Sequence, residues 1–171
     1  MEIDSGKLRL AVDGGEHKLN SRTDNYRIFL QMLQQSDNCV DIFSLHLDHK
    51  LYDRPEIIAQ FQRLVRHNPH ARIRLLLRNP RHLITNGHRI IELSRRLSSY
   101  IEIRQLAETC YGHLECFSLF DNRGILYRAN AEQFEGWFSF NAPVRVKSET
   151  VFFNEAWDIS LPCNETRRLY L

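Results

Sequence analysis

Histidine is the side chain best suited to proton transfer and metal binding near neutral pH, and this chain has eight. His46 and His49 sit in a polar run with Asp48, Lys50 and Asp53. Imidazole and carboxylate together suit a transition metal, and Lys50 adds a cation for an anionic group. The same spacing arises in any solvated loop, so the run is a candidate ligand-binding stretch and no metal is assigned to it. His113 stands two positions before Glu115 and eight before Asp121. The cysteines, at 39, 110, 116 and 163, include no C-x2-C pair for zinc or redox chemistry. Cys39 and Cys116 lie in apolar stretches and read as reduced core thiols. No cofactor is expected.

Arginine carries most of the positive charge, with Lys only at 7, 18, 50 and 147. Arg63, Arg66, Arg72, Arg74, Arg78, Arg81, Arg89, Arg95 and Arg96 make the middle of the chain basic. Guanidinium groups suit carboxylates and phosphates. Yet the net charge is only +2, and no Lys-rich or aromatic-interleaved stripe is present. That pattern favours solvated helix faces with partners such as Glu92, and disfavours, without excluding, a nucleic-acid partner.

The elements that must position these residues follow from periodicity. A weak strand is expected over Lys7–Val12, before the turn Asp13-Gly14-Gly15. Tyr26, Phe29, Leu30 and Leu33 recur at helical spacing over roughly 22–36, with Ser21 or Thr23 as cap. Cys39–Leu45 is β-rich and apolar, hence a buried strand. Its carboxyl end leads into the His46 run, where parallel α/β sheets bind ligands. Pro55 opens a helix with Ile57, Ile58, Phe61, Leu64 and Val65 on one face. Ala71–Leu77 and Tyr100–Leu106 read as further strands, with a helix over Gly87–Leu97 between them. These strand–helix units predict a mainly parallel sheet with helices outside.

The second half changes character. Leu114–Phe120, the turn Asp121-Asn122-Arg123-Gly124 and Ile125–Arg128 read as a hairpin, since Asn and Gly accept positive φ. Arg123, in that turn, is a further candidate for ligand contact. Phe134–Phe140 reads as a strand, with Val144 and Val146 extended after Pro143. Ser148–Ile159 reads as a helix. The tail Arg167-Arg168-Leu169-Tyr170-Leu171 ends on apolar residues that suit docking on the body or another subunit.

The size of 171 residues, with 43% hydrophobic and 26% charged residues, fits one globular domain. No apolar run is long enough to span a bilayer, so no membrane partner is expected. Glu2, Asp4 and Lys7 stand where a secretory signal would be apolar, so a cytoplasmic location is expected.

A strand ending near Asp, a turn with Gly, a returning strand and an aromatic-rich segment resemble the phospholipase D-like superfamily. Phe152-Phe153-Asn154-Glu155-Ala156-Trp157 looks like its closing helix. Leu47-Asp48, Leu51-Tyr52-Asp53, Gly87-His88-Arg89, the hairpin and Arg167-Arg168-Leu169 further resemble an uncharacterised bacterial domain of that fold, sometimes found beside an acetyltransferase domain. The resemblance implies a single α/β domain with a mixed, mainly parallel sheet flanked by helices. It would cover 22–171, after an N-terminal segment 1–21 holding a possible short strand. It also implies a homodimer, because single-domain relatives pair two half-sites, and it suggests an acetyltransferase partner.

The superfamily signature is H-x-K-x4-D, with His as nucleophile, Lys on a phosphate oxygen and Asp in support. No His in the chain has Lys two positions on. At His113 the signature reads Glu115 for Lys and Phe120 for Asp, with Asp121 one step late. A carboxylate in place of the phosphate-holding Lys opposes the charge that develops in phosphoryl transfer. The sequence therefore predicts a non-catalytic binding or interaction module of unknown ligand. One alternative is a phosphodiesterase or nuclease using His113, with Asp121 the other weak catalytic candidate. A second is an accessory partner of an acetyltransferase.

Overall fold

The structure, a computed structural model, describes residues 5–167. The tail from 168 onward, including Arg168 and Leu169, lies outside the described residues.

Among the described residues one sheet of eight strands is built: β1 His17–Leu19, β2 Cys39–Ser44, β3 Arg72–Leu77, β4 Ile101–Gln105, β5 Cys116–Phe120, β6 Gly124–Arg128, β7 Gly136–Ser139 and β8 Leu161–Pro162. Their order is β1-β7-β6-β5-β2-β3-β4-β8. The sheet is mixed. β2, β3 and β4 are parallel, and the remaining neighbours pair antiparallel. The parallel unit comes from the strand–helix repeats, and the antiparallel wing from the hairpin chemistry of the second half.

Helices cover both faces. On one lie α1 Arg22–Gln35, α3 Pro55–His67 and α5 Arg89–Arg96; on the other lies α6 Pro143–Ile159. Ser21 caps α1, its Oγ accepting from the Asp24 amide at 3.1 Å. The buried set Ile28, Phe29, Met32 and Leu33 follows the 3.6-residue repeat. β2 is buried along its whole length, as a strand covered on both faces must be. Its alternate residues divide between two cores. Val40 and Ile42 pack under α1 and α3, and Phe43 joins Phe117, Phe153 and Trp157 under α6.

Three local expectations are corrected. Lys7–Val12 forms no strand, Lys7 ending a 3-10 turn and 10–12 making another turn, and the edge strand is instead His17–Leu19, paired with β7. The helix expected over 87–97 is preceded by a separate short one, α4 Arg81–Thr85, because Gly87 takes φ +68° and breaks the chain between them. Val144 and Val146 are helical, not extended. Pro143 sits at the first position of α6, where its fixed φ starts a helix without losing a bond. Among the described residues four further short helical segments remain: α2 His49–Tyr52, α7 Asn164–Arg167 and 3-10 turns at Ser5–Lys7 and Glu108–Cys110.

Candidate functional site: a cleft at the carboxyl edge of the parallel strands

The hairpin is tied down at its turn. Asp121 and Asn122 have φ of +50° and +57°, the left-handed pair of a two-residue β-turn. The Asp121 carboxylate accepts the Asp37 amide at 2.7 Å, Asn38 at 2.8 Å and Cys39 at 2.9 Å. It thereby fixes the turn to the start of β2. Arg123 is exposed on the same turn.

His113 lies beyond the opposite end of β5. By the rise of a strand the two are on the order of 20 Å apart, so His113 and Asp121 do not share a site. The His113 Nδ1 is 2.9 Å from the Glu115 Oε1, and its ring lies 4.3 Å from that of Phe152.

Counting the signature back from the anchored Asp121 places its Lys at Cys116 and its His at Leu114. Cys116 is buried, and burial pushes its thiol pKa up, with nearby Arg128 and Ser44 acting in the opposite direction. Arg128 faces Cys116 across the hairpin and is only 3% exposed. One of its terminal nitrogens donates to the Gln133 carbonyl at 2.8 Å, and its guanidinium lies over the Phe134 ring at 5.3 Å. Its Nε has no partner among the described residues. Tyr52 and Ser118 complete this buried polar group, with burial pushing the Tyr52 hydroxyl up to about 12.

Beside it opens a cleft of about 160 Å³, lined among others by Ser44, Arg78, His113, Glu115, Asn130 and Glu132. These come from the ends of β2, β3 and β6 and the start of β5, which is one edge of the sheet. The Arg78 guanidinium lies 4.4 Å over Tyr111, and its only hydrogen bond among the described residues is a long one, 3.5 Å to the Tyr111 carbonyl.

The His46–Asp53 run divides. His46 borders the cleft region, half-buried, its ring 5.0 Å from that of His82. Burial and the neighbouring His82 hold its pKa down. Asp48 caps α2 through the Leu51 amide at 3.0 Å and pairs with Arg22 at 3.5 Å. Lys50 is exposed, and its carbonyl accepts from Arg54 at 2.8 Å.

His49 and Asp53 belong to a separate cluster with His88. The His49 Nδ1 meets Asp53 at 3.0 Å, while Asp53 also accepts the Arg89 amide at 3.0 Å. His88 Nδ1 accepts the Ile90 amide at 3.2 Å and caps α5, so its proton sits on Nε2. Burial depresses the His88 pKa to about 4. Although the His49 and His88 rings are 4.9 Å apart, the protonated Nε2 and the occupied Asp53 oxygens make this a poor metal cage. No group of three or more potential ligands among the described residues has metal-binding geometry.

The basic middle is largely consumed internally. Arg74 grips the buried Asp41 through two bonds of 2.7 and 2.8 Å. Arg63 donates to the Leu33 and Ser36 carbonyls, and Arg95 to that of Thr166. Arg81 pairs with Glu165 and Arg89 with Asp53. The residues that line or border the cleft but escape a motif search are Ser44, Arg128, Asn130 and Glu132. Arg128 alone left a signal, a charge on the inward period of an otherwise apolar strand.

The family model described as "Domain of unknown function (DUF7931)" matches residues 21–169. No curated protein matches the chain. Among solved structures, TrmBL2, described as an archaeal chromatin protein with a novel mode of DNA binding, superposes with a TM-score of 0.60 at 15% identity over 90% of this chain and 55% of its own. The chain thus spans about half of TrmBL2. Nuc from Salmonella typhimurium, a phospholipase D family member, gives 0.59 at 11% identity over 88% of this chain and 98% of that one. NucT from Helicobacter pylori gives 0.59 at 11%, over 88% and 99%. These likenesses establish a phospholipase D-like fold.

Proposed function

The chain belongs to the DUF7931 family, and we propose that it uses a phospholipase D-like fold for binding, not catalysis, receiving an oxyanion in the cleft at Arg78. The observation that carries this reading is the pair Leu114 and Cys116. Counted from Asp121, they stand where the nucleophile and the phosphate-holding cation of the signature belong. A cleft remains beside them, with Arg78 on its wall and no carboxylate paired to it among the described residues. An unpaired guanidinium in a concave site suits a carboxylate or phosphate.

A second reading keeps His113 as a nucleophile in a phosphodiesterase or nuclease. It is favoured by Glu115, which holds the His113 Nδ1 as an orienting carboxylate would. One assay separates the two. Bis(p-nitrophenyl) phosphate should be left intact by the wild-type chain and by His113→Ala alike. Turnover by the wild type that disappears in His113→Ala would establish the second reading instead. Homodimerisation is proposed alongside the binding role, and light scattering showing only monomer would remove it. An accessory role toward an acetyltransferase is tested by co-purification with that enzyme.

A further inference from the structure

We infer that the cleft takes a small zwitterion, a molecule carrying an oxyanion and a primary ammonium group, held between Arg78 and Glu132. This rests on the binding role proposed above and names the ligand class. Arg78 and Glu132 line the same space of about 160 Å³. Arg78 is held from the end of β3 by the Tyr111 ring. Glu132 is held after β6, where its amide donates to the Asn130 Oδ1 at 2.9 Å. Opposite charges free to meet would pair, yet these two make no ion pair with each other or with any other described residue.

The cleft's other carboxylate, Glu115, is already engaged by His113 at 2.9 Å. That leaves Glu132 as the acceptor for an ammonium group. On the anionic side, Asn130 spends its oxygen on the Glu132 amide, so its Nδ2 is left to donate. The Ser44 hydroxyl spends its one hydrogen on the His46 carbonyl at 2.9 Å, so the anion's donors are Arg78 and Asn130. An engineered cavity of roughly 150 Å³ holds a benzene-sized molecule, so the space suits a ligand of fewer than about ten heavy atoms. A longer anion would fill the Arg78 side and press against Glu132, which discriminates against polyanions by charge.

The test is calorimetric titration of the full chain with L-alanine and O-phosphoethanolamine as zwitterions, acetate and inorganic phosphate as anions, and ethanolamine as the cation. At least one zwitterion should bind about tenfold or more tightly than the matching anion, as a charge-assisted contact of 1.5–3 kcal/mol requires. The two zwitterions distinguish an amino-acid source from a phosphorylated amine. Glu132→Gln should weaken the zwitterion about tenfold and leave or improve the anion, whereas Arg78→Gln should weaken both. Both side chains are at the surface of the cleft, and unchanged thermal melting confirms that each variant folds. If anions bind as tightly as zwitterions, or Glu132→Gln changes nothing, the zwitterion is overturned while the oxyanion role of Arg78 stands. If no probe binds, both fall.

Discussion

At the scale of single residues, the most informative is Asp121, because its chemistry is spent on backbone. Three amides converge on one carboxylate, and charged hydrogen bonds of this kind are each worth more than neutral ones. Partial exposure weakens them here. Asp121→Ala is expected to lower stability by about 2 kcal/mol in urea unfolding while leaving ligand titration of the folded protein unchanged. Loss of binding with full stability would mean that Asp121 serves the cleft after all.

His88 supplies a second test at this scale. Its folded pKa is about 4 against an ordinary 6.5, so the fold favours the neutral ring. The unfolded chain therefore binds the proton more readily, and protonation opposes folding. This contribution is whole above pH 6.5 and is lost as pH falls towards 4, an effect of about 3 kcal/mol. Neighbouring Asp53, its own pKa lowered, acts in the same direction at lower pH. His88→Asn keeps a side-chain acceptor for the α5 cap and removes the titration. Its unfolding free energy should be flatter than that of the wild type between pH 6.5 and 4, and parallel slopes would refute the assignment.

At the scale of elements, Asp41 and Arg74 join neighbouring parallel strands beneath α6. Asp41 is 2% exposed, and the Arg74 guanidinium also lies 4.7 Å over Phe153 and 5.3 Å over Trp157. Removing Arg74 leaves the buried Asp41 with only the longer pair to the half-exposed Arg72, at 3.7 Å. Arg74→Ala should cost about 3–5 kcal/mol, and the double change Asp41→Leu with Arg74→Met should recover most of it. Equal losses in the single and double variants, read from chemical denaturation, would show that packing and not charge governs the pair.

Elements were legible in the sequence wherever one periodicity dominated. Phe61, Leu64 and Val65 mark α3, and Cys39–Ser44 could only be a buried strand. They were illegible where two signals competed. Val144 and Val146 mimic a strand at period two, but Val146, Phe153 and Trp157 define the helical face that is buried. The cleft was less legible still. It is lined by Arg78, His113 and Glu132, which are far apart in sequence and meet only because β2, β3, β5 and β6 end on one edge. The His46–Asp53 run looked like one site because its members adjoin in sequence. In three dimensions Asp48 caps α2, and His49 and Asp53 turn towards His88.

At the scale of the whole molecule, charge decides what large partners the surface suits. Net charge is +2, and five of the nine central arginines, Arg63, Arg72, Arg74, Arg81 and Arg89, are ion-paired within the chain. TrmBL2 shares the fold and binds DNA, but a fold shared at 15% identity does not carry a surface with it. Duplex DNA should therefore be retained only weakly, and released at physiological salt, in a gel-shift titration. Tight binding with a steep salt dependence would point to a basic face that the internal pairing does not suggest. Among the described residues no helix is long and apolar enough to cross a membrane.

The attachment of Asp121 to the start of β2 also separates two tasks along the same strands. Alignment is set at the turn by one carboxylate and three main-chain amides, which no side-chain replacement at the far edge alters. Residues 113–115 and 129–132, which lie outside the paired stretch of the hairpin, can thus be rewritten one at a time without resetting which residue faces which. The cleft is in effect an interchangeable end on a fixed frame, a starting point for grafting new specificities.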